Sequence, residues 1–286
     1  MNISGPFNWL TCYTYRALII YTDERNIINM ATKFEEIAVV VSQKTIATDI
    51  YDLTIQTKDI AAYAKAGQFI SLYCNDGTKL LPRPISLCGI DREAGTLRLV
   101  YRVTGEKTGT KEFSMMKAGG EVRVLGPLGN GFELGDKKAF LIGGGIGIPP
   151  MLQLAKELNC EKTAVLGYRN ELFLLEDFEA VCDTIIATED GSAGTKGNVI
   201  DAIKANGVNA DVIYACGPTP MLRALKAYAE EHNMECFVSM EERMACGIGA
   251  CLACVCKTKE KDHHTNVNNK RICKEGPVFN AKEVEL

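Results

Sequence analysis

Residues 244–257 read MACGIGACLACVCK, and residues 270–279 read KRICKEGPVF. Five of the twelve cysteines fall between Cys246 and Cys273. Cys246, Cys251 and Cys254 stand at C-x4-C-x2-C spacing, and Cys273 follows nineteen positions later. A [2Fe-2S] cluster is held with this spacing and a distant fourth cysteine. Gly247, Gly249, Ala250 and Ala253 carry little or no side chain, so the loop can curl tightly and aim backbone N–H groups at sulfur. Zinc is the other metal that four cysteines hold, but its structural sites usually come from two C-x2-4-C knuckles, and one such pair exists here. Cys256, two positions past Cys254, falls outside this spacing and is read as a spare. The metal ligands expected are therefore Cys246, Cys251, Cys254 and Cys273.

Working outward, 286 residues suffice for two or three domains, each with its own core. The charged fraction is ordinary, and a net charge of −4 without any basic run argues against nucleic acid as a partner. Clustered cysteines in a large chain point to a reducing compartment and metal ligation rather than disulfides, so a cytoplasmic location is expected. Cys12, Cys74, Cys88, Cys160, Cys182 and Cys236 are scattered and read as small buried hydrophobes. Residues 1–29 mix apolar and polar positions, hold the single tryptophan, Trp9, and differ in pattern from the rest of the chain. They have neither a basic leader nor a run long enough to cross a membrane, so a non-core extension and no membrane are expected.

From Phe34 to about Phe132 the pattern is β. IAVVVSQ, IYDLTIQT, QFISLYC, PISLCGI, TLRLVYRV and EVRVLGP are alternating or β-branched runs separated by turn residues. Their spacing predicts an antiparallel barrel, interrupted by one helix in GTKEFSMMKAG. Arg83-Pro84-Ile85-Ser86 begins a strand: its Arg can contact a diphosphate in bidentate fashion, and its Ser hydroxyl can reach a flavin edge. Val100-Tyr101-Arg102 and then Gly109-Thr110, at a helix start, offer a second wall and backbone amides for phosphate. Taken singly, each stretch is also what a plain strand or helix start looks like.

After Lys137 strands and helices alternate: AFLIG, PPMLQLAKELN, TAVLGYR, LEDFEAVC, DTIIATED, NVIDAIKAN, DVIYACGP, TPMLRALKAYAEEHN and ECFVSME. This demands a parallel sheet with helices on both faces, and ligands bind at the carboxyl ends of its strands. Gly143, Gly144, Gly145 and Gly147 follow the first strand. Cys216-Gly217-Pro218 ends the fourth, and Thr188 to Gly191 ends the third. The glycine run is not the G-x-G-x-x-G fingerprint, and a turn serving close helix–strand packing explains it equally well. Arg169, after the second strand, could hold a 2′-phosphate or simply be solvated. His263 and His264 lie in a polar loop and read as solvated.

Together, RPIS, GGGIGIPP and ACGPTPM resemble the ferredoxin–NADP reductase superfamily. With CGIGACLACVC and RICKEGPVF appended, the chain from about Lys33 to Leu286 resembles the electron-transfer subunits of dihydroorotate dehydrogenase B. The fold implied is an antiparallel FAD-binding β-barrel (30–135), an α/β parallel-sheet NAD-binding domain (136–240) and a small C-terminal [2Fe-2S] segment (241–286). The resemblance implies FAD at Arg83, Pro84, Ile85, Ser86, Val100, Tyr101, Arg102, Gly109 and Thr110. It implies the nicotinamide nucleotide at Gly143 to Gly147 and at Cys216, Gly217 and Pro218, with Cys216 near the ring. Ile85 departs from the RxYS of plant-type reductases and agrees with the dihydroorotate subfamily. The expected partner is an FMN-containing catalytic subunit, two copies of each chain forming a heterotetramer that serves pyrimidine biosynthesis. The small flavoprotein of an NAD-dependent ferredoxin:NADP oxidoreductase, or of a sulfide dehydrogenase, is the alternative with the same architecture. A redox-sensing module without turnover is disfavoured by the two complete nucleotide sites.

Overall fold

The computed structural model describes residues 33–261 and 266–286, which form one compact unit. Trp9, Cys12, His263 and His264 lie outside the described residues, as does the expected non-core extension. Six strands close into an antiparallel barrel: β1 (Phe34–Ala47), β2 (Ile50–Gln56), β3 (Phe69–Leu72), β4 (Arg83–Asp91), β5 (Thr96–Arg102) and β6 (Glu121–Leu128), in the order β1-β2-β5-β4-β3-β6. Period-2 alternation decides which side chains fill it. Leu53 and Ile55 of β2, Leu97, Leu99 and Tyr101 of β5, and Val122 and Val124 of β6 all point inward. The IAVVV run of β1 is split the same way, Ala38 and Val40 inside and Ile37, Val39 and Val41 outside. A short helix, α1 (Ile60–Tyr63), plugs one end.

The helix expected over GTKEFSMMKAG is shorter than its sequence suggests. It is the single turn α2 (Gly109–Phe113), whose start is capped by Thr108 Oγ1 accepting from Lys111 N–H at 3.3 Å. Its end is marked by Ser114, whose hydroxyl donates to the Lys111 carbonyl at 2.7 Å, a local bond that competes with helix continuation.

The second half is a seven-stranded sheet. Its strands are β7 (Ala139–Gly144), β8 (Lys162–Tyr168), β9 (Asp183–Thr188), β10 (Thr195–Lys196), β11 (Val212–Cys216), β12 (Glu235–Ser239) and, from the C-terminal segment, β15 (Val278–Asn280). The order is β10-β9-β8-β7-β11-β12-β15, parallel except for β15. Helices α3 (Ile148–Glu157), α4 (Leu175–Glu179), α5 (Val199–Asn206) and α6 (Thr219–Glu231) cover both faces. Register aligns the carboxyl ends: Cys216 opposes Gly143 on one side and Ser239 on the other, and Tyr168 opposes Thr188. The cysteine-rich segment adds a hairpin, β13 (Val255–Lys257) with β14 (Asn269–Arg271).

Polar ties hold these parts together. Arg98 on β5 donates from Nε and Nη2 to Asp52 of β2 at 2.9–3.2 Å, and from Nη1 and Nη2 to Asp177 of α4 at 2.6 and 3.1 Å. Thr48 donates from its N–H and hydroxyl to Glu171, both at 2.7 Å. Asn130, after β6, donates to the Gly276 and Glu275 carbonyls at 2.6 and 3.0 Å, so the barrel also grips the cysteine-rich segment.

Candidate functional site

The structure brings most of the sequence-predicted barrel stretches to one hollow. A cavity of about 390 Å³ is lined by Pro84, Ile85 and Ser86 from β4, Val100, Tyr101 and Arg102 from β5, and residues from beyond the barrel. Arg83 stands just outside it, beside α2. A Cβ placed on Gly109 would sit 2.9 Å from Arg83 Nε and 2.7 Å from Cys74 Sγ, so only glycine lets this helix start nest against the guanidinium. Thr110 is buried, its hydroxyl 3.0 Å from that of Thr108. Arg83 and the start of α2 are thus brought together, though neither lines the cavity itself.

The far wall was not anticipated from the sequence. Met240, Glu241 and Met244, from the stretch after β12, close the cavity together with Pro277. Glu241 lines the cavity and keeps solvent exposure there, while desolvation by the neighbouring protein raises its carboxyl above the ordinary range. Met244 lies two positions before Cys246, and Pro277 four after Cys273. The stretches that carry the cysteines therefore also supply one wall of the cavity. A signal was present, since both residues fall inside the two cysteine-bearing stretches, but which way they face is a tertiary fact.

At the carboxyl edge of the sheet the glycines divide by role. A Cβ on Gly147 would lie 2.4 Å from the Cys216 carbonyl, on Gly143 2.7 Å from Ile148 Cα, and on Gly144 2.6 Å from Met221 Sδ. These three serve close packing, as does Gly217, which would meet Met221 Cε at 2.5 Å. Gly145 alone has φ +54 and open space around it, leaving its backbone free for an approaching ligand. Cys216 is buried against Ser239. Burial, with Glu241 nearby, pushes its thiol far up, and the bond to Ser239 offsets little of this. It is a neutral thiol at any physiological pH. Arg169 is exposed after β8.

The four expected ligands differ in burial. Cys254 and Cys273 are buried, Cys246 is half-buried and Cys251 is exposed. Gly247, at φ +69, seats the loop on the barrel, where a Cβ would meet Ser71 Oγ at 3.1 Å and Leu128 at 3.2 Å. Backbone amides point at sulfur: Ala250 N–H donates to Cys246 Sγ at 3.3 Å, and Cys273 N–H to Cys254 Sγ at 3.4 Å. Burial works against ionising Cys246, yet the N–H groups of Ile248, Cys251 and Ala250 and the Cys251 thiol outweigh it and bring its pKa down to about 6. Cys273 goes the other way, to about 12, through burial and the adjacent Cys254.

All four thiols are free, and their side chains neighbour one another in two pairs, Cys246 with Cys251 and Cys254 with Cys273. Among the described residues no three Cys, His, Asp or Glu side chains close on one point. A zinc ion needs four ligands around one point. Two thiolates for each of two irons is the requirement of a [2Fe-2S] cluster, and the residues present fit it. Cys256 is buried and hydrogen-bonded to the Lys270 carbonyl at 3.5 Å, apart from both pairs. Of the other scattered cysteines, Cys88 and Cys236 are buried as expected, whereas Cys74, Cys160 and Cys182 are only half-buried.

Comparison with known proteins bears on the same residues. Residues 241–285 match the iron-sulfur cluster binding domain of dihydroorotate dehydrogenase B. A dihydroorotate dehydrogenase B (NAD(+)) electron transfer subunit from Caldanaerobacter subterraneus subsp. tengcongensis is 42% identical over 247 residues, covering 86% of this chain and 96% of the relative. The chain belongs to this family. The Geobacillus kaustophilus member is 43% identical over 258 residues, covering 86% and 97%. Family members are electron-transfer subunits of an oxidoreductase, and that class is this chain's. Among solved structures, an NADH-dependent reduced ferredoxin-NADP oxidoreductase studied for electron bifurcation superposes with TM-score 0.78 and 31% identity, over 87% of this chain and 90% of that one. The ferredoxin reductase of carbazole 1,9a-dioxygenase, at TM-score 0.61 and 19% identity over 72% and 68%, shares the fold. Among the described residues, no helix is long and apolar enough to cross a membrane.

Proposed function

We propose that this chain carries electrons from an FMN-containing dihydroorotate-oxidising subunit to NAD+, through a [2Fe-2S] cluster and FAD, in pyrimidine biosynthesis. The observation that carries the proposal is the cavity wall: Met244 and Pro277 line the barrel cavity and stand next to cluster ligands in the chain. A nicotinamide takes a hydride and a cluster takes one electron, so a flavin, which can do both, belongs between them.

The chain's own residues hold these groups and keep water out. Arg83, with Gly109 and Thr110, holds the FAD diphosphate, and Pro84 to Ser86 with Val100 to Arg102 walls the isoalloxazine. Gly145 and the Cys216-Gly217-Pro218 turn receive the nicotinamide nucleotide, Cys216 remaining a neutral, buried thiol beside it. Cys246, Cys251, Cys254 and Cys273 would hold the cluster, the first two from the more exposed side and the last two from the buried side. Ile248, Leu252 and Val255 are exposed apolar residues around the outward pair, which makes this loop the docking face for the partner. The divisions 30–135, 136–240 and 241–286, a cytoplasmic setting and a two-plus-two assembly complete the reading.

The structural likeness to the bifurcating oxidoreductase favours one second reading, an equivalent small subunit on a different partner. Anaerobic titration of the purified chain with NADH tests the common core. Flavin absorbance near 450 nm and cluster absorbance must bleach together. A chain that binds FAD but leaves its cluster oxidised under excess NADH contradicts the path.

A further inference from the structure

Arg271 ends β14, two positions before Cys273. Its backbone N–H donates to Glu275 Oε2 at 2.7 Å, its Nε donates to the same oxygen at 3.0 Å, and its Nη2 donates to Glu275 Oε1. With two edges of the guanidinium fixed, Nη1 reaches the first ligand loop and donates to the Gly249 carbonyl at 2.8 Å. That carbonyl belongs to the peptide unit joining Gly249 to Ala250. The N–H of the same unit is the one that donates to Cys246 Sγ at 3.3 Å.

A trans peptide is planar, with its C=O and N–H pointing opposite ways. A donor fixed on the oxygen therefore aims the N–H, and here the aim is at a ligand sulfur. Gly249 has φ +87, the backbone turn that presents this plane, and a Cβ there would lie 2.9 Å from the Lys274 side chain. Hydrogen bonds in series polarise one another, so a cation on the oxygen also strengthens the bond from the nitrogen. N–H groups directed at cluster sulfurs stabilise the added electron and raise the reduction potential.

We propose that Arg271, held by Glu275, is a positioning residue that orients and polarises the Gly249–Ala250 peptide toward Cys246 and so raises the potential of the cluster. This deepens the cluster part of the proposed function and rests on it. The pair is formally neutral, so the effect runs through the oriented peptide rather than through net charge. Lys274, alongside Gly249, is retained in every variant tested.

The test uses the full chain with FAD and cluster, its iron and flavin contents measured first, and an EPR-monitored reductive titration. Arg271→Gln should make the one-electron reduction of the cluster about tenfold less favourable, a fall of about 59 mV. Arg271→Gln with Glu275→Gln leaves the net charge unchanged and should retain most of that fall. Arg271→Lys keeps the charge but cannot serve Glu275 and Gly249 together, and should fall part of the way. In the wild type, iron–sulfur vibrations in resonance Raman should shift on exchange into D2O, and this shift should shrink in the variants. A double variant with the wild-type potential and an undiminished D2O shift overturns the proposal. If the double variant loses iron, Arg271→Lys decides alone: a wild-type potential at full iron content overturns the proposal, and a fall sustains it. A wild-type chain that assembles no [2Fe-2S] signal refutes the cluster reading itself.

Discussion

Replacing Arg98 with methionine removes the cation from between two carboxylates and keeps most of the side-chain volume. Arg98 is 22% exposed, Asp52 5% and Asp177 34%, so the Asp52 arm is interior and the Asp177 arm lies towards the surface. Breaking a buried pair from one side costs about 3–5 kcal/mol, whereas exposed pairs contribute under ~1 kcal/mol. Lys44 Nζ, 3.6 Å from Asp52, remains as a partial substitute. The expected loss is therefore ~3 kcal/mol, and with a urea slope of ~3 kcal/mol/M the midpoint should fall by about 1 M.

The pH dependence has a definite sign. Burial works against ionising Asp177, but the Arg98 hydrogen bonds outweigh it and hold its carboxyl below the ordinary range. A carboxyl depressed on folding contributes stability above its unfolded pKa of ~3.9 and loses it as pH falls through the lower folded value. The wild type should thus lose stability below about pH 4 more steeply than the Arg98→Met protein. Urea melts followed by far-UV circular dichroism at pH 7 and at pH 3.5 measure both effects. A midpoint within ~0.2 M of wild type at pH 7, or parallel acid profiles, would refute the reasoning.

Other outcomes rest on single contacts. Gly109→Val pushes a branched side chain into Arg83 and Cys74 and should weaken FAD retention about tenfold or more, overpacking of this kind costing ~1–3 kcal/mol; flavin release on gel filtration reads it. Cys254→Ser should abolish the cluster, whereas Cys256→Ser, at a thiol outside both pairs, should leave iron and sulfide content at the wild-type value. Cys216→Ala should keep FAD and iron while changing the rate at which NADH reduces the flavin in stopped flow, because its thiol lies at the carboxyl edge of the sheet, where the nucleotide is proposed to bind.

Much of the architecture was legible from local pattern. Period-2 runs located all six barrel strands, and the switch to strand–helix alternation located the parallel sheet, because each element is specified by which of its own side chains can be buried. The candidate cluster ligands could be proposed from the sequence because metal chemistry restricts both residue type and spacing. What stayed hidden is what depends on distant partners. Arg98 finds Asp177 seventy-nine positions away, and neither residue is marked in its own neighbourhood. Met244 and Pro277 sit in motifs noticed for their cysteines, and only the fold turns them toward the barrel cavity. The glycine run after β7 was open to two readings: Gly143, Gly144 and Gly147 serve close packing, whereas Gly145 has open space around its backbone. The strand β15, three residues long, gave no periodic signal and became visible only as a partner of β12.

The central claim is a route for electrons through this chain, and one measurement addresses it most directly. The chain is co-purified anaerobically with its catalytic partner, mixed with dihydroorotate, and followed by stopped-flow absorbance, first without and then with NAD+. The account predicts that cluster and FAD bleach after the partner's FMN, and that NAD+ restores both while NADH appears in equal amount to the dihydroorotate consumed. Bleaching confined to the partner's flavin, with cluster and FAD still oxidised, would contradict it.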